Sequence, residues 1–243
     1  MKASSPSRIF DGVWQGSFSS PLAVSFERII LKGIFARMHR TITLPERVPV
    51  MPLPSALLFP HALLPLYIFE QRYRTMLEHA LSRHRMFCIA LIKRERAHWK
   101  STDDFFHVAG VGLIRACVGR ADGTSNLILQ GLRRVRFSGF EQRSPFPIAQ
   151  IEPLESKATP SVETDALGAK LVEIYATLKK NGPKLPAQVD RYLSDPQDTE
   201  VFADLMAATF IDNPFHRQQI LEELVVNQRL RLLIRYLRHG GEG

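Results

Sequence analysis

The sequence holds little of what chemistry requires in company. Two cysteines occur among 243 residues. Cys88 and Cys117 each sit inside an apolar run, so no disulfide framework is expected, and buried thiols suit a reducing, cytoplasmic setting. Prolines and charges break every apolar stretch before the roughly 18–20 residues that a membrane-spanning helix needs, and no membrane partner is expected. No G-x-S-x-G elbow, H-E-x-x-H helix or cysteine pair at zinc spacing is present. The eight histidines are scattered, which suits surface positions better than metal ligation. The absence of G-x-x-x-x-G-K-[ST] argues against nucleotide-driven motor work. "GVGLIR" begins like a dinucleotide fingerprint, but Arg115 stands in place of its third glycine and no helix follows. No catalytic residue, metal ligand or cofactor is therefore assigned.

What is present is an ordinary globular composition, 45% hydrophobic and 23% charged, with length for one large domain or two small ones. The net charge is +8, which permits nucleic-acid or acidic contacts. Residues 1–40 carry six basic side chains against two acidic ones, so half of the excess lies there. That stretch reads as an extension, or as a translation start placed too early with Met38 the true one, and it is set aside from the fold.

From 41 to 154 the texture is mostly β. "EQRYRTMLEHALSRHR" puts Tyr73, Met76, Leu77, Ala80, Leu81 and His84 on one helical face, predicting a helix that lies on a sheet. "MFCIALIK", "FHVAGVGLIRACV", "SNLILQGL", "RRVRFSGF" and "FPIAQIEPL" follow as short strand-like runs. Asp122-Gly123 is a two-residue turn signal. From 155 to 239 the pattern is helical. Leu167, Leu171, Ile174, Tyr175 and Leu178 share one face, and Asn181-Gly182-Pro183 stops that helix. Pro186 starts a short one through Val189 and Leu193. Asp198 and Asn213-Pro214 are capping signals for two more. Asn227 opens a last helix on which arginines 229, 231, 235 and 238 read as a solvated face. The expected fold class is α+β: a small, partly closed sheet with one covering helix, then a helical bundle.

Two segments carry binding chemistry. In "KRERAHWKSTDDFFH", residues 93–107, Arg94 and Arg96 can meet phosphates while Trp99, Phe105 and Phe106 stack on bases or grip a peptide; the bland reading packs the rings and leaves the charges in water. In "GLRRVRF", Arg134 needs a carboxylate if half-buried, with Glu70 the expected partner. Asp103 or Asp104 with His107 is the one acid–base combination suggesting a small-molecule hydrolase, although acidic pairs in loops are usually solvated turns.

"MPLPSALLFPHALLPLYIFEQRYRTML", "FFHVAGVGLIRACVGRADGTSNLILQGLRRVRF" and "FADLMAATFIDNPFHRQQILEELVVNQRLRLLIRYL" occur in that order. Together they resemble the N-terminal substrate-binding domain of the Lon protease family, over about residues 44–238. The resemblance implies a PUA-like pseudo-barrel, as in RNA-modifying enzymes and cereblon, joined to a helical bundle. It makes Leu53 to Pro65 a strand and turn, with Glu70, Arg72 and Tyr73 starting the covering helix. His61 departs from the pattern, since the family often has glycine after "FP". Full-length Lon continues into ATPase and serine-lysine peptidase domains, which this sequence does not contain. The resulting expectation is a stand-alone, non-enzymatic module that binds unfolded or hydrophobic polypeptide segments in protein quality control, partnered by a separate ATP-dependent protease. Its site would be an apolar groove between barrel and helices. The alternative is an RNA-binding module of the PUA-like type, whose affinity would fall steeply with salt.

Overall fold

In the computed structural model the described residues are 42–93, 99–157, 161–181, 185 and 187–239; Thr43–Gly243 forms one compact unit. Among them six strands, β1 (Arg47–Leu53), β2 (Leu63–Ile68), β3 (Met86–Leu91), β4 (Val108–Gly119), β5 (Ser125–Gln142) and β6 (Ile148–Pro153), combine with six helices. The helices are α1 (Gln71–Leu81), α2 (Val162–Asn181), α3 (Ala187–Ser194), α4 (Thr199–Phe210), α5 (Pro214–Glu222) and α6 (Val226–His239). This is the α+β class, with a helical C-terminal part. Among the described residues no helix is long and apolar enough to cross a membrane.

The strand order is β2-β5-β4-β3-β1-β6, and β6 also pairs β5, which closes the sheet. Closure depends on the length of β5. Its first half pairs β2 and the end of β4, its second half pairs β6, and register shifts at Phe137/Gly139 and Phe140/Gln142 bend it round. "SNLILQGL" and "RRVRFSGF" are therefore one 18-residue strand, not two. Beyond the closed part, β2, the start of β5 and the end of β4 project as a three-stranded flap. The β4–β5 connection is a loop over 120–124 in which Gly123 takes the positive φ of 80°. The Asp122 carboxylate accepts from the Thr124 N–H at 2.9 Å and from its hydroxyl at 2.7 Å. The turn signal is in its expected place, but the loop is five residues long.

Helix α1 packs against β1 and β3 and shares one apolar cluster with the inner side of the flap. Tyr73, Met76, Leu77 and Ala80 are buried as their spacing predicts, joining Ile68, Ile114, Leu127 and Leu129 in one apolar cluster. His84 falls beyond the helix end and is exposed. Tyr73 donates its hydroxyl to the Pro52 carbonyl at 3.0 Å, and burial raises its pKa. A second cluster joins the helices, through Leu171, Tyr175, Phe202, Met206, Leu230 and Leu233, to Leu57, Phe59, Ala62 and Leu91 of the sheet region. The crossing segment 57–62 divides the clusters: Leu57 and Phe59 enter one and Leu58 the other.

Within that segment His61 has φ 66°, the left-handed region where a side chain is strained. Its N–H donates to the Gly131 carbonyl at 2.9 Å, so the conformation is held by the sheet below. Relief of the strain outweighs glycine's entropy cost, and His61→Gly is expected to raise stability by about 0.5–1 kcal/mol. A higher urea midpoint at unchanged slope is the readout; an unchanged or lower midpoint would show that the imidazole contributes more than the strain removes.

Helix capping follows the sequence closely. Asp198 accepts from the N–H groups of Glu200 and Val201 at the start of α4, and Asn213 accepts from Phe215 and His216 with Pro214 in the first turn of α5. The signals at Gly182, Pro183 and Pro186 fall outside the described residues.

Candidate functional site

Among the described residues, the junction of sheet and helices is filled by the helical core cluster and, beside it, by buried charge. Arg134 on β5 grips Asp204 on α4 with both terminal nitrogens, at 2.8 and 2.5 Å, and donates its Nε to the Leu221 carbonyl at 3.0 Å. Arg229 on α6, fully buried, donates to Glu200 at 2.9 Å, to the Ser156 hydroxyl at 2.9 Å and to the Glu223 carbonyl at 2.8 Å. The groups form one network, with Arg229 3.7 Å from Asp204 and Arg134 3.9 Å from Glu200. Burial pulls Arg229 below the usual guanidinium range and Arg134 adds to that, while Asp204 and Glu200 oppose it. Burial also disfavours ionised Glu200, but Ser156, Arg229 and Arg134 together outweigh it and hold the carboxyl below its ordinary range.

Arg134 pairs with Asp204, not Glu70; Glu70 instead precedes α1 and binds its neighbour Arg72 at 2.8 Å. Arg229 is not on a solvated face. It lies three residues after Val226 and four before Leu233, both buried, and that spacing was the available signal.

The aromatic segment is likewise largely absorbed by packing. Phe105 forms an isolated bridge with Ile92 and is fully buried, edge-on to Phe137 and Phe140, so it is not presented to a ligand. Phe106 is half-buried and packs against Phe215. Trp99, also half-buried, meets Phe105 edge-on with the Arg72 guanidinium 5.8 Å from its ring centroid. Arg94 and Arg96 lie outside the described residues. The Asp104 carboxylate accepts from the N–H groups of Lys100 and Ser101 and caps a 3₁₀ turn. Asp103 donates its N–H to the Ser101 hydroxyl in that turn, and His107 stands against Phe137 and Phe140.

The arrangement that does face water is the outer side of the flap. Register places Tyr67, Asn126 and Val118 in one cross-strand row, Pro65, Ile128 and Ala116 in the next, and Leu63, Gln130 and Leu113 in a third. The residues between these rows, among them Leu127, Leu129 and Ile114, are buried in the cluster shared with α1, and the outer face is mainly apolar, with Asn126 and Gln130 the polar positions on its central strand. Tyr67 and Val118 are 48% and 47% exposed, and Phe69, two residues beyond Tyr67, is 60% exposed. The two rings stack with centroids 5.7 Å apart, and the Arg120 guanidinium lies 5.4 Å from the Tyr67 centroid. Exposed aromatics held in stacked, restricted geometry lose little entropy on contact and are the side chains that anchor interfaces. "LLPLYIF" is apolar at every position, so it reads as a wholly buried strand and carries no signal of which face stays open.

A family model described as the ATP-dependent protease La (LON) substrate-binding domain matches residues 47–239. The chain is 28% identical over 202 residues to a Lon protease of Desulfosudis oleivorans, covering 82% of this chain and 24% of that protein. It is 27% identical over 195 residues to Lon protease of Escherichia coli K12, covering 78% and 25%. The chain thus spans about a quarter of the length of these relatives. Among solved structures, the N-terminal domain of Mycobacterium avium complex Lon protease superposes with a TM-score of 0.61 at 18% identity, covering 79% of this chain and 98% of that one. A Lon N-terminal domain protein from Xanthomonas campestris gives 0.55 at 21% identity, covering 80% and 99%.

Proposed function

The chain belongs to the Lon substrate-binding domain family, and from that premise we propose that it is a non-catalytic receptor for unfolded polypeptide. Extended segments with apolar side chains dock on the outer face of the flap, where Tyr67 and Phe69 act as anchors. In this reading the module serves protein quality control, holding clients for an ATP-dependent protease. The observation that carries it is the exposed, stacked Tyr67–Phe69 pair on a sheet face whose other half-exposed members include Leu63, Leu113 and Ile128. A soluble chain leaves contiguous apolar surface uncovered chiefly where something binds. The aliphatic rows also favour peptide side chains over nucleobases, which would call for further aromatic or polar groups.

The test is fluorescence anisotropy of the full chain with a labelled, permanently unfolded polypeptide. Tyr67→Ser with Phe69→Ser is expected to weaken binding at least ~10-fold, each interface aromatic contributing about 1–2 kcal/mol or more. Both side chains are exposed, so the melting midpoint stays within about 2 °C. Unchanged affinity in the doubly substituted protein would remove the face as the site.

A further inference from the structure

We infer that this face selects apolar segments flanked by acidic residues; the inference rests on the polypeptide reading and adds a charge preference to it. The rim beside the aromatic pair carries two arginines, Arg120 and Arg74, with Asp122 and Glu70 the carboxylates beside them. Arg120 leaves the tip of the β4–β5 hairpin and lies against Tyr67. Arg74 reaches the same tip from α1, close enough that a Cβ on Gly123 would meet its guanidinium. Neither arginine makes an ion pair within 4 Å among the described residues, although Arg120, after the Thr124 hydroxyl and N–H, helps to hold the Asp122 carboxyl below its ordinary range. Farther along the face Arg115, extruded at the β4 register shift between Ile114 and Ala116, bonds the Gln130 amide oxygen. The nearby carboxylates are occupied: Asp122 by the Thr124 N–H and hydroxyl, Glu70 by Arg72.

A segment that places an aromatic or aliphatic side chain on Tyr67 and Phe69 sets its following residues over the hairpin tip. A carboxylate there meets the guanidinium groups of Arg120 and Arg74 without first breaking an existing ion pair. A lysine in the same position meets like charge. The attraction is that of partly exposed ions, so it discriminates between segments more than it adds to affinity.

Three labelled peptides of identical apolar sequence, flanked by aspartate, serine or lysine, separate the possibilities by anisotropy with the full chain. The aspartate peptide is expected to bind about tenfold tighter than the lysine peptide at low salt, with the gap narrowing toward 0.5 M salt as screening shortens to a few ångströms. Arg74→Gln with Arg120→Gln is expected to draw the three affinities together. Equal binding by all three to the unsubstituted protein, or a ranking that survives the double substitution, would overturn the charge preference while leaving the receptor reading intact. Failure of all three to bind would overturn both. Displacement of the aspartate peptide by a single-stranded oligonucleotide at comparable concentration would also overturn the inference, by showing that the arginines take phosphate instead.

Discussion

Asp204→Ala is expected to cost about 3–5 kcal/mol of folding stability, because it strands a buried cation. Arg134 would keep only the Leu221 carbonyl and a 3.9 Å approach to Glu200, and Arg229 would lose the carboxylate 3.7 Å away. The intact pair itself need not contribute that much. Desolvating two ions offsets most of their attraction, so a well-packed apolar pair in the same space can be as stable. Arg134→Met with Asp204→Leu is accordingly expected to recover most of the loss. Chemical denaturation of the two single variants and the double variant measures both quantities, and the coupling from the cycle should be large, since the side chains share two hydrogen bonds. A loss below about 1 kcal/mol for Asp204→Ala would mean that water or Glu200 replaces the lost carboxylate, and the network would not be the tie between β5 and the helices.

That network also lies beyond what local sequence pattern specifies. Asp198 and Asn213 were legible because a cap is local: the side chain bonds the N–H groups two and three residues on, and spacing alone specifies it. The buried face of α1 was legible for the same reason, a helix repeat being a property of one segment. Arg134 required a carboxylate, but its partner stands 70 residues away, and no periodicity chooses between Asp204 and Glu70 at that distance. Closure of the sheet was hidden similarly. The glycines and charges within "QGLRRVRFSGF" resemble a strand end, whereas the chain uses register shifts there to bend one strand between two sets of neighbours. The outer face of the flap escaped because periodicity reports that a run is apolar, not which of its two faces another element covers.

Gly131→Ala is expected to be about as damaging, at roughly 3–5 kcal/mol, for a reason invisible in the sequence. A Cβ on Gly131 would stand 1.9 Å from the Phe59 carbonyl oxygen and 2.8 Å from its carbon, so the clash is with backbone and no rotamer relieves it. Gly110 faces the same segment, its Cβ falling 1.8 Å from the Leu58 carbonyl oxygen. The two glycines let segment 57–62 lie directly on the sheet, with the Gly131 N–H donating to Ala62 and the His61 N–H to Gly131, each at 2.9 Å. Lifting the segment by even an ångström weakens both bonds, each contributing about 0.5–1.5 kcal/mol. It also draws Leu58 and Phe59 out of two separate cores, where a buried side chain of that size contributes about 1.5–3 kcal/mol. Gly119→Ala is the control: its Cβ would meet nothing closer than the Ser125 hydroxyl at 3.9 Å, and the change is expected to stay within about 0.5 kcal/mol. Urea unfolding followed by circular dichroism compares the two. Similar midpoints for both variants would mean that the crossing segment shifts freely and that its wedge between the cores is not what fixes the sheet beneath the helices.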